Sequence, residues 1–158
     1  MDVDKRAEQS VDKRLFSVII GTALVTTAGG LLWGYVVMLT GSELGFVAWV
    51  LGGLAGAGVV MFAQGKRGRR QQVIAVFASI LGITIGKYVF FYDSVNQIFK
   101  EAYGADAASV VSIFSIDLVR VFFENPSKTL GGLNILWIVL ALVTAWCIPA
   151  SRRLKRRQ

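Results

Sequence analysis

The sequence has no histidine, one cysteine (Cys147) and two prolines, and only 17% of its 158 residues are charged. Each scarcity removes a class of chemistry. Without histidine there is no imidazole for general acid–base work near neutral pH and no Cys/His metal cage. With one cysteine no disulfide closes within the chain; Cys147 reads as a packing residue, with palmitoylation as the alternative. Neither a nucleophile elbow nor a zinc motif is present, and no spacing supports a metal site built of carboxylates alone. We therefore expect no enzyme activity, no metal and no cofactor.

Apolar residues stand where the charge is missing: 54% of the chain is hydrophobic and its mean hydropathy is +0.59, outside the range of soluble domains. A bilayer core takes about 20 mainly apolar residues per helical crossing. Four windows of that kind lie at about 15–39, 44–63, 73–92 and 130–149. The fold class read from them is all-α, a polytopic membrane protein. It has four transmembrane helices within 15–149, an amphipathic helical segment at 93–129 between the third and fourth spans, a charged tail at 1–14 and a basic tail at 150–158. The first tail reads as a solvated helix or as disordered. The apolar run after it is too long for a signal peptide, which makes it an anchor.

The net charge of +7 is unevenly distributed. Lys5, Arg6, Lys13 and Arg14 precede the first window, Lys66, Arg67, Arg69 and Arg70 separate the second from the third, and Arg152, Arg153, Lys155, Arg156 and Arg157 follow the fourth. Four crossings put all three clusters on one face, the positive-inside pattern of an inner (cytoplasmic) membrane protein with both termini cytoplasmic. Lys66, Arg67, Arg69 and Arg70 are expected to touch anionic lipid headgroups, each charge worth about 1 kcal/mol near the surface. Nucleic acid is not an expected partner, because no aromatic residues interleave with the basic ones to stack bases.

Small residues recur at steps of three or four: Gly45, Ala48, Gly52 and Gly56 in the second window, Ser79, Gly82 and Gly86 in the third, and the pair Gly30 and Gly34 in the first. Such steps make one stripe along a helix. Lipid supplies no hydrophobic drive between helices, so a stripe that lets backbones approach is a packing face. Spacing leaves open whether the packing is within one chain, the preferred reading, or between copies. Trp33 and Tyr35 are expected at the outer interface and Trp146 at the inner one. A turn at 40–43 would let Ser42 or Glu43 cap the second span. The stretch from Gly82 to Lys87 is not a phosphate loop, since Leu81 replaces the first glycine and Tyr88 the Ser or Thr.

Beyond Asp93 the pattern turns amphipathic. Val95, Ile98, Phe99, Ala102 and Tyr103 predict a helix ended by Gly104. A second helix is predicted from Asp106, as N-cap, to Glu124, with Val111, Phe114, Leu118 and Phe122 on one face and Asp117, Arg120 and Glu124 on another. Crossing the bilayer there would place its charges in lipid and the basic tail outside, so we read it as lying in the outer interface. Lys87 lies well inside the third window, where an unrelieved charge costs roughly 2.5–3.5 kcal/mol. Snorkelling, or pairing with Asp93, Glu43 or Asp117, is the plain account; a transport role is the sharper one. Glu43, Lys87, Asp117 and Arg120 together form a candidate polar site at the outer rim, suited to a small ion or an anionic headgroup.

The run Thr40-Gly41-Ser42-Glu43-Leu44-Gly45-Phe46-Val47-Ala48, with Gly52 and Gly56 after it and Gly82 and Gly86 in the following span, resembles a widespread group of small bacterial four-pass integral membrane proteins without an assigned activity. Phe114-Ser115-Ile116-Asp117-Leu118, placed before a final apolar span, is similar to the same group. The resemblance covers roughly residues 25–150. It implies the four-pass fold and a bacterial inner membrane, and no mechanism. The expected function is a non-enzymatic helix-packing scaffold or accessory subunit of a membrane complex, with the bilayer and either a homo-oligomer or a larger complex as partners. The alternative is a small channel or transporter for an ion or small polar solute, using Lys87 and the outer acidic residues.

Overall fold

The computed structural model describes residues 2–40, 45–104, 112–124 and 133–150. Among these the chain is all-α, with five helices and no strands: α1 (Asp2–Thr40), α2 (Phe46–Phe62), α3 (Arg69–Tyr103), α4 (Ile116–Glu124) and α5 (Leu133–Ala150). Leu15–Thr40, within α1, and α3 are long and apolar enough to cross a membrane. The apolar helices Phe46–Phe62 and Ile135–Ala150 are shorter; at 1.5 Å per residue, α2 and α5 each reach about 25 Å.

Helices α1, α2, α3 and α5 form an up-down-up-down bundle. Gly21 of α1 faces Phe62 and Gly29 faces Leu51 and Leu54, so α1 and α2 run antiparallel. Gly30 faces Gly82 and Gly34 faces Val89, so α1 and α3 are parallel, as are α2 and α5 through Gly52 with Ala141 and Gly56 with Ile148. The central pair is α2 and α3, with α1 and α5 flanking it; the broadest contacts are α1 with α3 and α2 with α5. Two apolar clusters fill the bundle. One joins Trp33, Val37, Ala48, Leu51, Ile83 and Ala141; the other, nearer the α2–α3 loop, joins Val18, Val59, Ala63, Ala75 and Ala145.

Glycine sets the helix spacing. A Cβ on Gly82 would lie 2.8 Å from the Thr26 carbonyl oxygen, one on Gly34 would lie 2.6 Å from Val89 Cβ, and one on Gly56 would lie 2.9 Å from Ile148 Cβ. On Gly30 it would overlap the Gly82 carbonyl, on Gly52 the Ala141 backbone, and on Gly86 the Trp33 ring. Gly52, Gly56, Gly82 and Gly86, with the buried Ala48, therefore face other helices of the same chain. Gly45, at the head of the expected stripe, is the half-buried N-cap residue of α2.

Three further elements differ from expectation. Helix α3 does not end near Tyr92 but continues to Tyr103, and Gly104 (φ 91°) stops it with its N–H on the Lys100 carbonyl. The apolar period runs unbroken through Val95, Ile98 and Phe99 with no glycine or proline, so the amphipathic helix expected over 95–103 is the last part of α3. The helix expected from Asp106 begins at Ile116. Over 112–115 the Phe114 N–H donates to Ser112 Oγ (3.3 Å) and the Ser115 N–H to the Ser112 carbonyl (3.0 Å), a local serine turn that competes with helix. Trp33, expected to meet the outer interface, is 4% exposed, because glycine at position 86 leaves room for its indole within the bundle. Asp106, the 41–43 turn with its Ser42 or Glu43 cap, and the 151–158 tail lie outside the described residues.

Neighbouring glycines test this packing. Gly52→Ala drives a methyl into the Ala141 backbone and is expected to destabilise by about 1–3 kcal/mol. Gly53→Ala, whose added Cβ meets nothing within 4 Å, should stabilise by about 0.5–1 kcal/mol through helix propensity. Thermal unfolding of the two variants in mild detergent checks the sign of each; equal effects would refute close α2–α5 contact.

Candidate functional site

Of the four residues expected at one rim, Lys87 is buried, and Asp117 and Arg120 are exposed. Glu43 lies outside the described residues. Lys87 shares a face of α3 with Ile83 and Phe90, the face that meets Ala48, Leu51 and Ala141, and it is 4% exposed. Position 87 is seven residues after the exposed Ile80 and four after the buried Ile83, so Lys87 stands on α3 between an outer and an inner residue, with its side chain buried.

Asp117 and Arg120 face away from the bundle. Helix α4 docks on α3 through buried Leu118 and Phe122. The Phe122 ring meets Tyr88 edge-on at 5.5 Å between centroids and Phe91 at 5.6 Å, and the Tyr88 hydroxyl donates to the Ile113 carbonyl. This docking leaves Asp117 exposed and sends Arg120 outward, where its Nε donates to Glu124 Oε1 at 2.7 Å. An exposed i, i+4 pair of that kind contributes a few tenths of a kcal/mol. Of the expected Asp117–Arg120–Glu124 ladder, the Arg120–Glu124 rung is present.

The interior holds polar groups, of which the sequence pattern marks only Ser79, as a small residue. Thr22, Thr26 and Ser79 are fully buried, and Asn96 nearly so. Thr26 Oγ1 donates to the Thr22 carbonyl at 2.9 Å and is also placed 3.1 Å from the Ala23 carbonyl. Thr22 Oγ1, Ser79 Oγ, Trp33 Nε1 and Asn96 Oδ1 are buried without a hydrogen-bond partner among the described residues. Between α2 and α5, Trp49 Nε1 donates to Thr144 Oγ1 at 2.9 Å, and that hydroxyl donates on to the Leu140 carbonyl at 2.8 Å.

The basic loop is the most organised polar region. Helix α2 ends with the Gly65 N–H on the Val60 carbonyl and the Gln64 N–H on the Met61 carbonyl, the two bonds of a Schellman closure, with Gln64 (φ 54°) and Gly65 (φ 75°) left-handed. The closure brings Arg67 to the end of α5. There its guanidinium donates to the Ile148 carbonyl at 3.0 Å, and Gln72 Nε2 donates to the Trp146 carbonyl at 3.4 Å. The Ile148 carbonyl lies in the last turn of α5, where a cation complements the helix dipole. Arg67 is thus half-buried and structural, whereas Lys66, Arg69 and Arg70 are exposed. Beside them a cavity of about 170 Å³ has Leu15, Val18 and Phe62 as its floor and Lys66 and Arg70 at its rim.

Among the described residues no group of three or more His, Cys, Asp or Glu side chains is placed to hold a metal. Compared with protein-family models, curated proteins and solved structures, the chain finds no match.

Two basic residues one position apart should behave differently. Arg67→Gln removes the cation at the α5 terminus and is expected to cost on the order of 1–2 kcal/mol. Lys66→Gln, at an exposed position, should stay within about 0.5 kcal/mol of the parent. Chemical or thermal unfolding of the purified variants measures the contrast.

Proposed function

We propose that the chain is a four-pass integral membrane protein of the bacterial inner membrane. Both termini and the basic loop are cytoplasmic, and it acts without catalysis as a packed helical scaffold or accessory subunit of a membrane complex. The observation that carries this reading is that the bundle is apolar outside as well as inside. Phe16, Leu24, Leu32, Leu39, Met61 and Phe77 are all exposed, and every helix of the bundle presents such residues. In water a surface of this kind aggregates; in hydrocarbon it matches its solvent. Helices of 17 and 18 residues fall within the range that spans a bilayer, which supports α2 and α5 as crossings beside α1 and α3.

The up-down order supports the orientation. It gathers Leu15, the loop carrying Lys66 to Arg70, and the end of α5 at one end of the bundle, and the charge rule assigns that end to the cytoplasm. Helix α4 then rests on α3 at the outer interface, with exposed Phe114, Ile116 and Phe123 facing the headgroup and acyl boundary. A scaffold role is supported by an interior closed backbone against backbone. The glycine faces serve the chain's own fold, so a partner or second copy would meet the lipid-side flanks.

The buried Lys87 and the unpartnered hydroxyls of Thr22 and Ser79 favour one second reading, a small channel or transporter for an ion or small polar solute.

Topology is checked by thiol labelling in whole cells, in a Cys147→Ser background. Lys100→Cys should react with an impermeant reagent from outside and Lys66→Cys only after lysis; the reverse pattern would invert the orientation. The two functions separate at Lys87. A scaffold should be recovered from native membranes in a defined complex that Lys87→Met leaves intact, with no flux from proteoliposomes. Flux that Lys87→Met abolishes would replace the scaffold reading with the transporter.

A further inference from the structure

We propose that the groove between α1 and α3 at the basic end is a binding site for one anionic phospholipid. Its phosphate is held by Lys66, Arg69 and Arg70, and one acyl chain lies along Ile19, Val73 and Ile74. The groove has Leu15, Ile19, Val73 and Ile74 as its wall and Arg69 and Arg70 at its mouth. It adjoins the 170 Å³ cavity, because Leu15 and Arg70 line both and Lys66 stands at the rim of the second. An apolar channel that ends at a cluster of cations has the two-part chemistry of a phospholipid: hydrocarbon against Ile19 and Val73, phosphate against the arginines.

The charges call for an anion. Lys66, Arg69 and Arg70 lie close together in sequence and are exposed, and among the described residues no carboxylate pairs with them. Arg69 and Arg70 also open α3, at the positive end of its dipole, where cations are unfavourable, and the N-cap Gly68 makes no side-chain cap bond. A phosphate reverses the sign of both interactions. Arg67, turned to the α5 carbonyl, stands apart from this set. Free phosphate alone leaves the apolar wall unused, and a groove opening sideways at headgroup depth gives a lipid direct access. The inference rests on the membrane reading; basic recesses on the cytoplasmic side are the usual places where lipid phosphates dock.

The full chain, purified in neutral detergent, is titrated with phosphatidylglycerol, phosphatidylcholine, glycerophosphoglycerol and inorganic phosphate, and followed by native mass spectrometry and thermal unfolding. We expect phosphatidylglycerol to be retained and to raise the melting temperature, phosphatidylcholine to do so weakly, and the two soluble anions to have no effect. R69Q/R70Q should weaken phosphatidylglycerol binding by roughly twenty-five-fold, two charges at about a factor of five each, while R69K/R70K keeps the preference. Val73→Trp, which fills the groove without changing charge, should also lose retention, and it decides the matter if the double glutamine variant does not fold. Equal binding of the two lipids, or an unchanged preference in R69Q/R70Q or Val73→Trp, overturns the site. A response to inorganic phosphate alone leaves an anion site and overturns the lipid. Release of the native chain from membranes by alkaline carbonate would instead overturn the membrane reading itself.

Discussion

Helix α1 meets α3, and α2 meets α5, at glycines where no side chain fits, with Gly30 against the Gly82 carbonyl and Gly52 against the Ala141 backbone. In lipid, the setting proposed for this chain, neighbouring hydrocarbon is as apolar as leucine, so helices gain nothing by hiding from their solvent. What remains is dispersion, small per atom pair and large only when many pairs come within about 4 Å. A glycine inside a helix costs roughly 1 kcal/mol in propensity, and that cost is sustained here because the absent side chain brings whole turns of backbone into contact. Other features follow from the spacing. The Trp33 indole lies over Gly86 instead of reaching outward, and the fully buried Thr26 turns its hydroxyl back on its own helix because the opposing surface is the close backbone of Gly82.

A different force organises the end of the bundle that carries the loop. Residues 66–70 form one basic cluster in composition, yet their partners are not equivalent. Arg67 brings a hydrogen bond and a positive charge to the last turn of α5, and so ties the loop between the second and third helices of the bundle to its last. The neighbouring cations have no such carbonyl and remain exposed to whatever anion lies outside. Exposed cations and a structural tie thus share one loop of a few residues, which follows the Schellman closure at Gln64 and Gly65.

Most of the bundle was legible in the sequence because its pattern is physical at short range. Apolar windows mark helices, and the small-residue steps through Gly52 and Gly56, and through Gly82 and Gly86, mark the faces that meet. The less legible parts depend on contacts distant along the chain. Nothing near Arg67 distinguishes it from Arg69 or Arg70, since its partner is a carbonyl of α5. Trp33 has the composition of an interfacial residue and becomes a core residue because position 86 is glycine. The placement of two expected rim residues was hidden for the same reason: Asp117 and Arg120 are placed by Leu118 and Phe122 on the opposite face of α4, and Phe122 is held by Tyr88 and Phe91. The continuation of α3 to Gly104 was legible in its parts; the error lay in assuming that a helix stops where the bilayer would.

Positions 87 and 88 bear on the choice between the two functions. Lys87 points into the bundle and Tyr88, the next residue, points at α4, where its ring meets Phe122 and its hydroxyl meets the Ile113 carbonyl. Opening the face of α3 that Lys87 shares with Ile83 would require α3 to rotate or α2 and α5 to draw away. Rotation would break the Tyr88 contacts on one side and carry Gly82 and Gly86 out of register with Gly30 and Trp33 on the other, exchanging backbone contact for collision with side chains. Separation of α2 and α5 would leave the Arg67 bond behind or drag the loop with it. Each motion breaks several contacts together, as in a packed interface that is either formed or lost. A transporter needs two such packings of comparable energy. The glycine register supplies one tightly fitted arrangement, the property expected of a scaffold.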